Sequence, residues 1–87
     1  MTYVLGEGIE VEAFESESIA YHPNGCVYVA NETAGIILKT IEDGGSIDDA
    51  VAVVCSRYDI SESRAKSDAD LCLKALISKE VVVVKDE

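Results

Sequence analysis

The sequence predicts an α+β domain, with a small antiparallel sheet in its N-terminal third and helices in the rest. Two patterns and a switch between them carry that expectation. Apolar residues alternate with period two around Ile9, Val11 and Ala13. From Ala34 to Ile77 they recur with helical spacing. The change falls at Asn31-Glu32-Thr33.

The elements follow in order. Ile9, Val11 and Ala13 interleave with Glu10 and Glu12, a half-buried strand with a charged outer face. Glu15-Ser16-Glu17-Ser18 is a polar turn, and Ile19-Ala20-Tyr21-His22 restarts the strand pattern. Pro23-Asn24-Gly25 is the clearest hairpin turn, because Pro presets φ and Asn and Gly tolerate positive φ. Cys26-Val27-Tyr28-Val29-Ala30 is a third strand, apolar on both faces. Asn31 caps the first helix, whose apolar face is Ala34, Ile37, Leu38 and Ile41, and Gly44-Gly45 ends it. Ser46 and Asp49 open a second helix as a reciprocal cap, with Ile47, Ala50, Val51, Val54, Cys55 and Tyr58 on its core side. A third helix runs from about Ser61 to Lys79, with Ala65, Ala69, Cys72, Leu73, Leu76 and Ile77 facing inward. Val81-Val82-Val83-Val84 closes the chain as a short strand of unassigned partner, before the charged tail Lys85-Asp86-Glu87. Three strands, three tightly connected helices and a last strand make a winged helix-turn-helix-like arrangement.

Composition limits the function. The 87 residues are expected to form one domain, with a core over roughly residues 9–84. With 7 basic and 17 acidic side chains the net charge is −10, which disfavours nucleic acid and anionic membrane as partners. Neither a signal peptide nor a membrane-length apolar run is expected. Cys26, Cys55 and Cys72 are odd in number and lack a CxxC spacing, so a reduced, cytoplasmic setting is expected, with no metal and no cofactor. His22 is the single histidine and lies beside a turn, the Ser residues have no base arranged for them, and Gly6-Glu7-Gly8 precedes a strand instead of following one. No catalytic constellation emerges, so the chain is not expected to be an enzyme. The third helix carries Arg64, Lys66, Lys74 and Lys79 against Glu62, Asp68, Asp70 and Glu80, which gives no basic stripe for DNA.

Two features exceed what folding needs. Natural sheet edges are blunted by Lys, Pro, charges or bulges, and Cys26, Val27, Tyr28, Val29 and Ala30 include no such side chain. On the third helix Arg64, Asp68, Leu71 and Ala75 form a stripe about 120–140° from the core face. Strand and stripe together suggest a peptide-binding groove. Ile36 also lies off the core face of its helix, as a weaker candidate contact for a larger partner.

The ordered motifs are similar to those of a known family. Asn31-Glu32-Thr33-Ala34 with Ile37, Ile41 and Asp43-Gly44, then Ser46-Ile47-Asp48-Asp49-Ala50-Val51, Arg57-Tyr58-Asp59, and Asp68, Leu73, Leu76-Ile77 and Lys79, resemble the PqqD-like family over roughly residues 9–84. That family is named for pyrroloquinoline quinone biosynthesis protein D. Its fold is also called the recognition element of RiPPs, the ribosomally made and post-translationally modified peptides. The resemblance implies a non-catalytic peptide chaperone that takes a precursor's leader segment as an added strand on its third strand, against the third helix. Such a chaperone presents the leader to a modifying enzyme, often of the radical S-adenosylmethionine type. Leu38 stands where many members carry an aromatic residue, Cys72 where many carry Phe, and Glu80 where many carry Gly. These departures suggest a peptide other than the quinone precursor. The alternative reading is an interaction or scaffold domain that forms a homodimer through the same edge.

Overall fold

The computed structural model describes residues 2–85. Its elements are β1 Thr2–Leu5, β2 Glu10–Ala13, β3 Ser18–Tyr21, β4 Val27–Ala30, α1 Glu32–Glu42, α2 Ile47–Tyr58, α3 Glu62–Ser78 and β5 Val82–Lys85. β2, β3 and β4 form an antiparallel meander in that order, while β1 and β5 form a separate two-stranded ribbon. The expected three-stranded sheet is present, but a further strand precedes it. β1 supplies the missing partner of the closing strand, from Thr2↔Lys85 to Leu5↔Val82. Tyr3, Val4 and Leu5 are all half-buried, so β1 has no period-two signature to read. Met1, Asp86 and Glu87, the ends of the expected domain and its tail, lie outside the described residues.

The closing strand begins one residue later than expected because Val81 belongs to the end of α3. The Glu80 N–H donates to Ile77 C=O and the Val81 N–H to Leu76 C=O, both at 3.0 Å. These are the two bonds of a Schellman motif, and Val81 and Leu76 are both fully buried as its apolar contact. The motif sets Glu80 at φ 60, a left-handed position that favours glycine. The Val81 carbonyl then accepts from Gly6 N–H at 2.9 Å, which ties the helix end to the β1–β2 connection.

The helices form where the caps lie. Asn31 Oδ1 accepts from the Ala34 N–H at 2.9 Å. Ser46 and Asp49 form the reciprocal box, with bonds of 3.2 and 2.9 Å. Ser61 Oγ accepts from the Arg64 N–H at 3.2 Å. α1 is the central element: it packs on α2, α3, β1, β3 and β4. Its Ala34, Ile37, Leu38 and Ile41 are buried, as the helical period requires. They meet Ala50, Val51 and Val54 of α2 and Ala65, Ala69, Leu73 and Leu76 of α3 in one core. Tyr58 does not join them and is exposed. It is the last residue of α2, and its hydroxyl hydrogen-bonds Glu32. Cys72 and Ile77 are only half-buried against the core.

Candidate functional site

The site begins with the turn that sets the register of β4. The His22 N–H donates to the Cys26 carbonyl at 2.8 Å, and the Gly25 N–H donates to the His22 carbonyl at 3.0 Å. Gly25 has φ 94. Two residues of the incoming strand, Gly25 and Cys26, therefore oppose His22, which is a glycine bulge. Asn24 Oδ1 accepts from the Cys26 N–H at 2.9 Å and holds the loop. Cys26 belongs to this bulge and not to the regular strand, a correction to the expected limits of the edge.

The bulge determines which main-chain groups reach the free edge. His22 and Cys26 are a hydrogen-bonded pair, and such pairs alternate along an antiparallel ladder. Given the register Tyr21↔Val27, Ala20↔Tyr28, Ile19↔Val29 and Ser18↔Ala30, Tyr28 and Ala30 direct their N–H and C=O groups at β3. The N–H and C=O groups of Val27 and Val29 point away from β3, along the outer edge of the sheet.

Side chains split the same way. Ala30 is buried and Tyr28 is half-buried against the core, beneath the helices. Val27 and Val29 face the other side and are 60% and 54% exposed. Beside them on that outer face stand Ile19 and Tyr21, and then Glu10 and Glu12 of β2. The Tyr21 hydroxyl donates to Glu12 Oε1 at 3.3 Å. Desolvation and the Glu12 charge both raise the Tyr21 pKa above its ordinary value.

The predicted helix stripe is also on the surface. Arg64 and Leu71 are exposed, with Leu71 at 65%, while Asp68 and Ala75 are half-buried. Burial, and then the Asp68 charge, push the neighbouring Cys72 thiol up, away from reactive thiolate character. α3 packs on α1, α2 and β5, and β4 on β3 and α1, so the two candidate rims are both carried by α1. A side-chain hydrogen bond also relates them. His22 Nε2 donates to the Lys79 carbonyl at 3.2 Å, which satisfies an end carbonyl of α3. Because His22 also pairs with Cys26, the bulge end of β4 lies near the C-terminal end of α3. His22, expected only as a turn residue, is thus a link between the two rims.

Ile36 stands elsewhere. It lines a concavity of about 630 Å³ between the β2–β3 turn, α1 and α2, together with Val11, Phe14 and Val53. Sequence reasoning missed this feature, since Phe14 sits in a turn and Val53 on the outer side of α2. Among the described residues no group of three or more His, Cys, Asp and Glu side chains is placed to hold a metal ion. None of the described helices is long and apolar enough to cross a membrane.

The family model described as coenzyme PQQ synthesis protein D (PqqD) matches residues 17–82. No curated protein matches the sequence. Two solved structures share the fold. One is TbiB1 in complex with the TbiA(beta) leader peptide, with a TM-score of 0.83 at 18% identity, covering 97% of this chain and 99% of that one. The other is lasso peptide synthetase B1 complexed with the leader peptide, with a TM-score of 0.82 at 20% identity, covering 97% of this chain and 100% of that one.

Proposed function

The chain belongs to the PqqD family, and on that premise we propose that it is a non-catalytic peptide chaperone of the RiPP-recognition type. It takes the leader segment of a ribosomally made precursor as an added strand on β4 and presents it to a modifying enzyme, a radical S-adenosylmethionine enzyme or another peptide-modifying class, in the cytoplasm. The observation that carries the reading is the β4 edge. Val27 and Val29 offer their N–H and C=O groups outward from a strand without charge, Lys or Pro. The leader complexes of the two structural relatives support it.

In this reading Val27 and Val29 set the register through their main chain. Alternate leader side chains enter between Tyr28 and Ala30 on one side and Leu71 and Ala75 on the other, within a winged-helix-like frame. Arg64 and Asp68 form the charged end of that groove, toward the N-terminus of α3. Arg64 is exposed, so pairing with an acidic leader residue contributes about 0.5–1 kcal/mol at most. A leader of about 10–15 residues approaches the lower end of a standard interface, roughly 1,200 Å².

The direct test titrates the labelled chain with leader segments from short reading frames that neighbour its gene, and follows backbone amide shifts. The expected result is saturable shifts at Val27, Val29, Leu71 and Ala75. Shifts absent from β4, or a concentration-independent dimer that leaves no edge for the peptide, overturn the reading in favour of a scaffold.

A further inference from the structure

The concavity around Ile36 lies on the β2 side of the meander, across the sheet from β4. Its floor is close-packed. A Cβ on Gly35 would meet Ser18 Oγ at 2.8 Å, so α1 lies tight against β3 there and Gly35 contributes no bulk. Its walls are apolar. Phe14 is the only phenylalanine of the chain and is 52% exposed, and Val53 is 42% exposed. The Phe14 N–H donates to the Glu17 carbonyl at 2.8 Å, which holds the ring in a closed turn at the mouth. A bond of that kind needs no aromatic side chain, and an exposed aromatic beside a concavity is characteristic of a contact surface.

The rim is charged in a specific way. Two cations stand on it, and each is already paired: Lys39 with Asp43 at 3.7 Å, and Arg57 with Glu32 at 3.5 Å. Glu32 also accepts from the Tyr58 hydroxyl, and that bond holds its carboxyl below the usual range. Glu15, Glu17 and Glu42 on the same rim have no such cation among the described residues. Three uncompensated carboxylates around an apolar cleft complement a ligand with a bulky apolar side chain flanked by Lys or Arg.

We propose that this concavity is a second docking site, and that its occupant is a cationic, apolar-tipped segment of the modifying enzyme to which the leader is presented. The identity of that partner rests on the proposed function, while the chemistry of the segment rests on the rim. β2 and β4 are separated by β3, about 10 Å apart at two strand spacings. Both sites can therefore be occupied at once, the leader on one edge and the enzyme on the other.

The test uses the full chain, labelled for amide detection, and two synthetic 12-residue peptides. One carries Phe and Leu flanked by Arg and Lys, and in the other every cation is replaced by Glu. The cationic peptide is expected to shift Phe14, Gly35, Ile36 and Val53 while leaving Val27 and Val29 in place. Phe14→Ser and Val53→Ser, both at exposed positions, are each expected to weaken it at least fivefold. Glu15→Lys with Glu17→Lys is expected to weaken it at least tenfold. Equal binding of both peptides, shifts centred on β4, no binding, or indifference to Phe14→Ser and Val53→Ser overturns the proposal; the last outcome means unspecific attraction to an acidic chain. Leader titrations in parallel separate the two ideas. Failure of leader shifts at Val27 and Val29 with the concavity shifts intact removes the leader reading alone.

Discussion

Val29→Pro is the substitution that isolates the β4 edge. Proline removes a main-chain donor, and in a paired strand that breaks the ladder. At Val29 the N–H points away from β3, because the bulge at Gly25 and Cys26 makes 20/28 and 18/30 the hydrogen-bonded pairs. The β3–β4 ladder therefore keeps all its bonds. The Val29 side chain is mostly exposed, so little packing is lost either. The fold is expected to melt cooperatively, with a stability change of about 1 kcal/mol or less. An added strand is affected differently. It loses one main-chain hydrogen bond, a net of about 0.5–1.5 kcal/mol, and the ring occupies the approach. The expected loss of leader affinity is at least about three- to tenfold. Calorimetric titration of the leader, with thermal melts on the same samples, measures both quantities. Ala13→Pro is the matched control. Its N–H also points to a free edge, that of β2, because Phe14 and Glu17 form the hydrogen-bonded pair next to it. Unchanged leader affinity in Val29→Pro, or an equal loss in Ala13→Pro, refutes strand addition on β4. Tyr28→Pro is unsuitable, since Tyr28 bonds to β3 and packs against the core.

Three other substitutions test separate parts of the argument. Leu71→Asp places a charge on an exposed helix position, so the fold loses only about 0.5 kcal/mol of helix propensity. Leader binding should weaken about 5- to 30-fold if about 1–2 kcal/mol of apolar contact is lost, and unchanged affinity in a titration removes Leu71 from the groove. Glu80→Gly relieves a left-handed position at φ 60. After the entropy glycine adds to the unfolded chain, a gain of about 0.5–1 kcal/mol remains, or about 2–8 °C in Tm, and a lower Tm contradicts the strain assignment. Tyr58→Phe deletes the hydroxyl that lowers the Glu32 pKa and whose own pKa is raised above its ordinary value. A lowered carboxylate pKa stabilises above about pH 4.3 and is lost as the pH falls through the folded value. A raised tyrosine pKa stabilises below about pH 10 and is lost as the pH rises through the folded value. The Tm difference between wild type and variant should therefore be largest near neutrality and vanish at both extremes. A difference independent of pH assigns Tyr58 a packing role instead.

How far the fold could be read depended on how local its signals are. Asn31, Ser46, Asp49 and Ser61 cap within three residues of themselves, and the helices start where they stand. The pairing of β1 with β5 joins Thr2 to Lys85 and has no local signature, because Tyr3, Val4 and Leu5 are partly buried together. Tyr58 had the right spacing for the core and failed on position, at the end of α2, where a Glu32 oxygen was within reach of its hydroxyl. The candidate groove shows the same division. A strand with no charge is visible in five letters. Which of its N–H groups are free is not, since that depends on whether the turn carries a bulge, and one residue of difference exchanges every group. The concavity at Phe14 was beyond reach because its walls come from a turn and the off-core sides of two helices.

The net charge of −10 takes on a meaning once the sheet is seen edge on. Glu10 and Glu12 occupy β2 and its outer face, and Glu15 and Glu17 the turn that follows, while β4 has no ionisable residue except Tyr28. The two edges of one meander thus have opposite chemistry. β4 offers main-chain bonds and valines, whose strength hardly depends on ionic strength. The β2 side offers uncompensated carboxylates in water, which are screened beyond a Debye length of about 8 Å at physiological salt. If the two edges serve two partners, salt separates them. Raising it from about 50 to 500 mM should weaken leader affinity by no more than about fivefold, the share of the exposed Arg64 pair, and weaken the cationic peptide much more, through its association rate. Equal salt dependence at both edges would mean that the acids act as one diffuse field, and the division of labour between β4 and the concavity would fall with it.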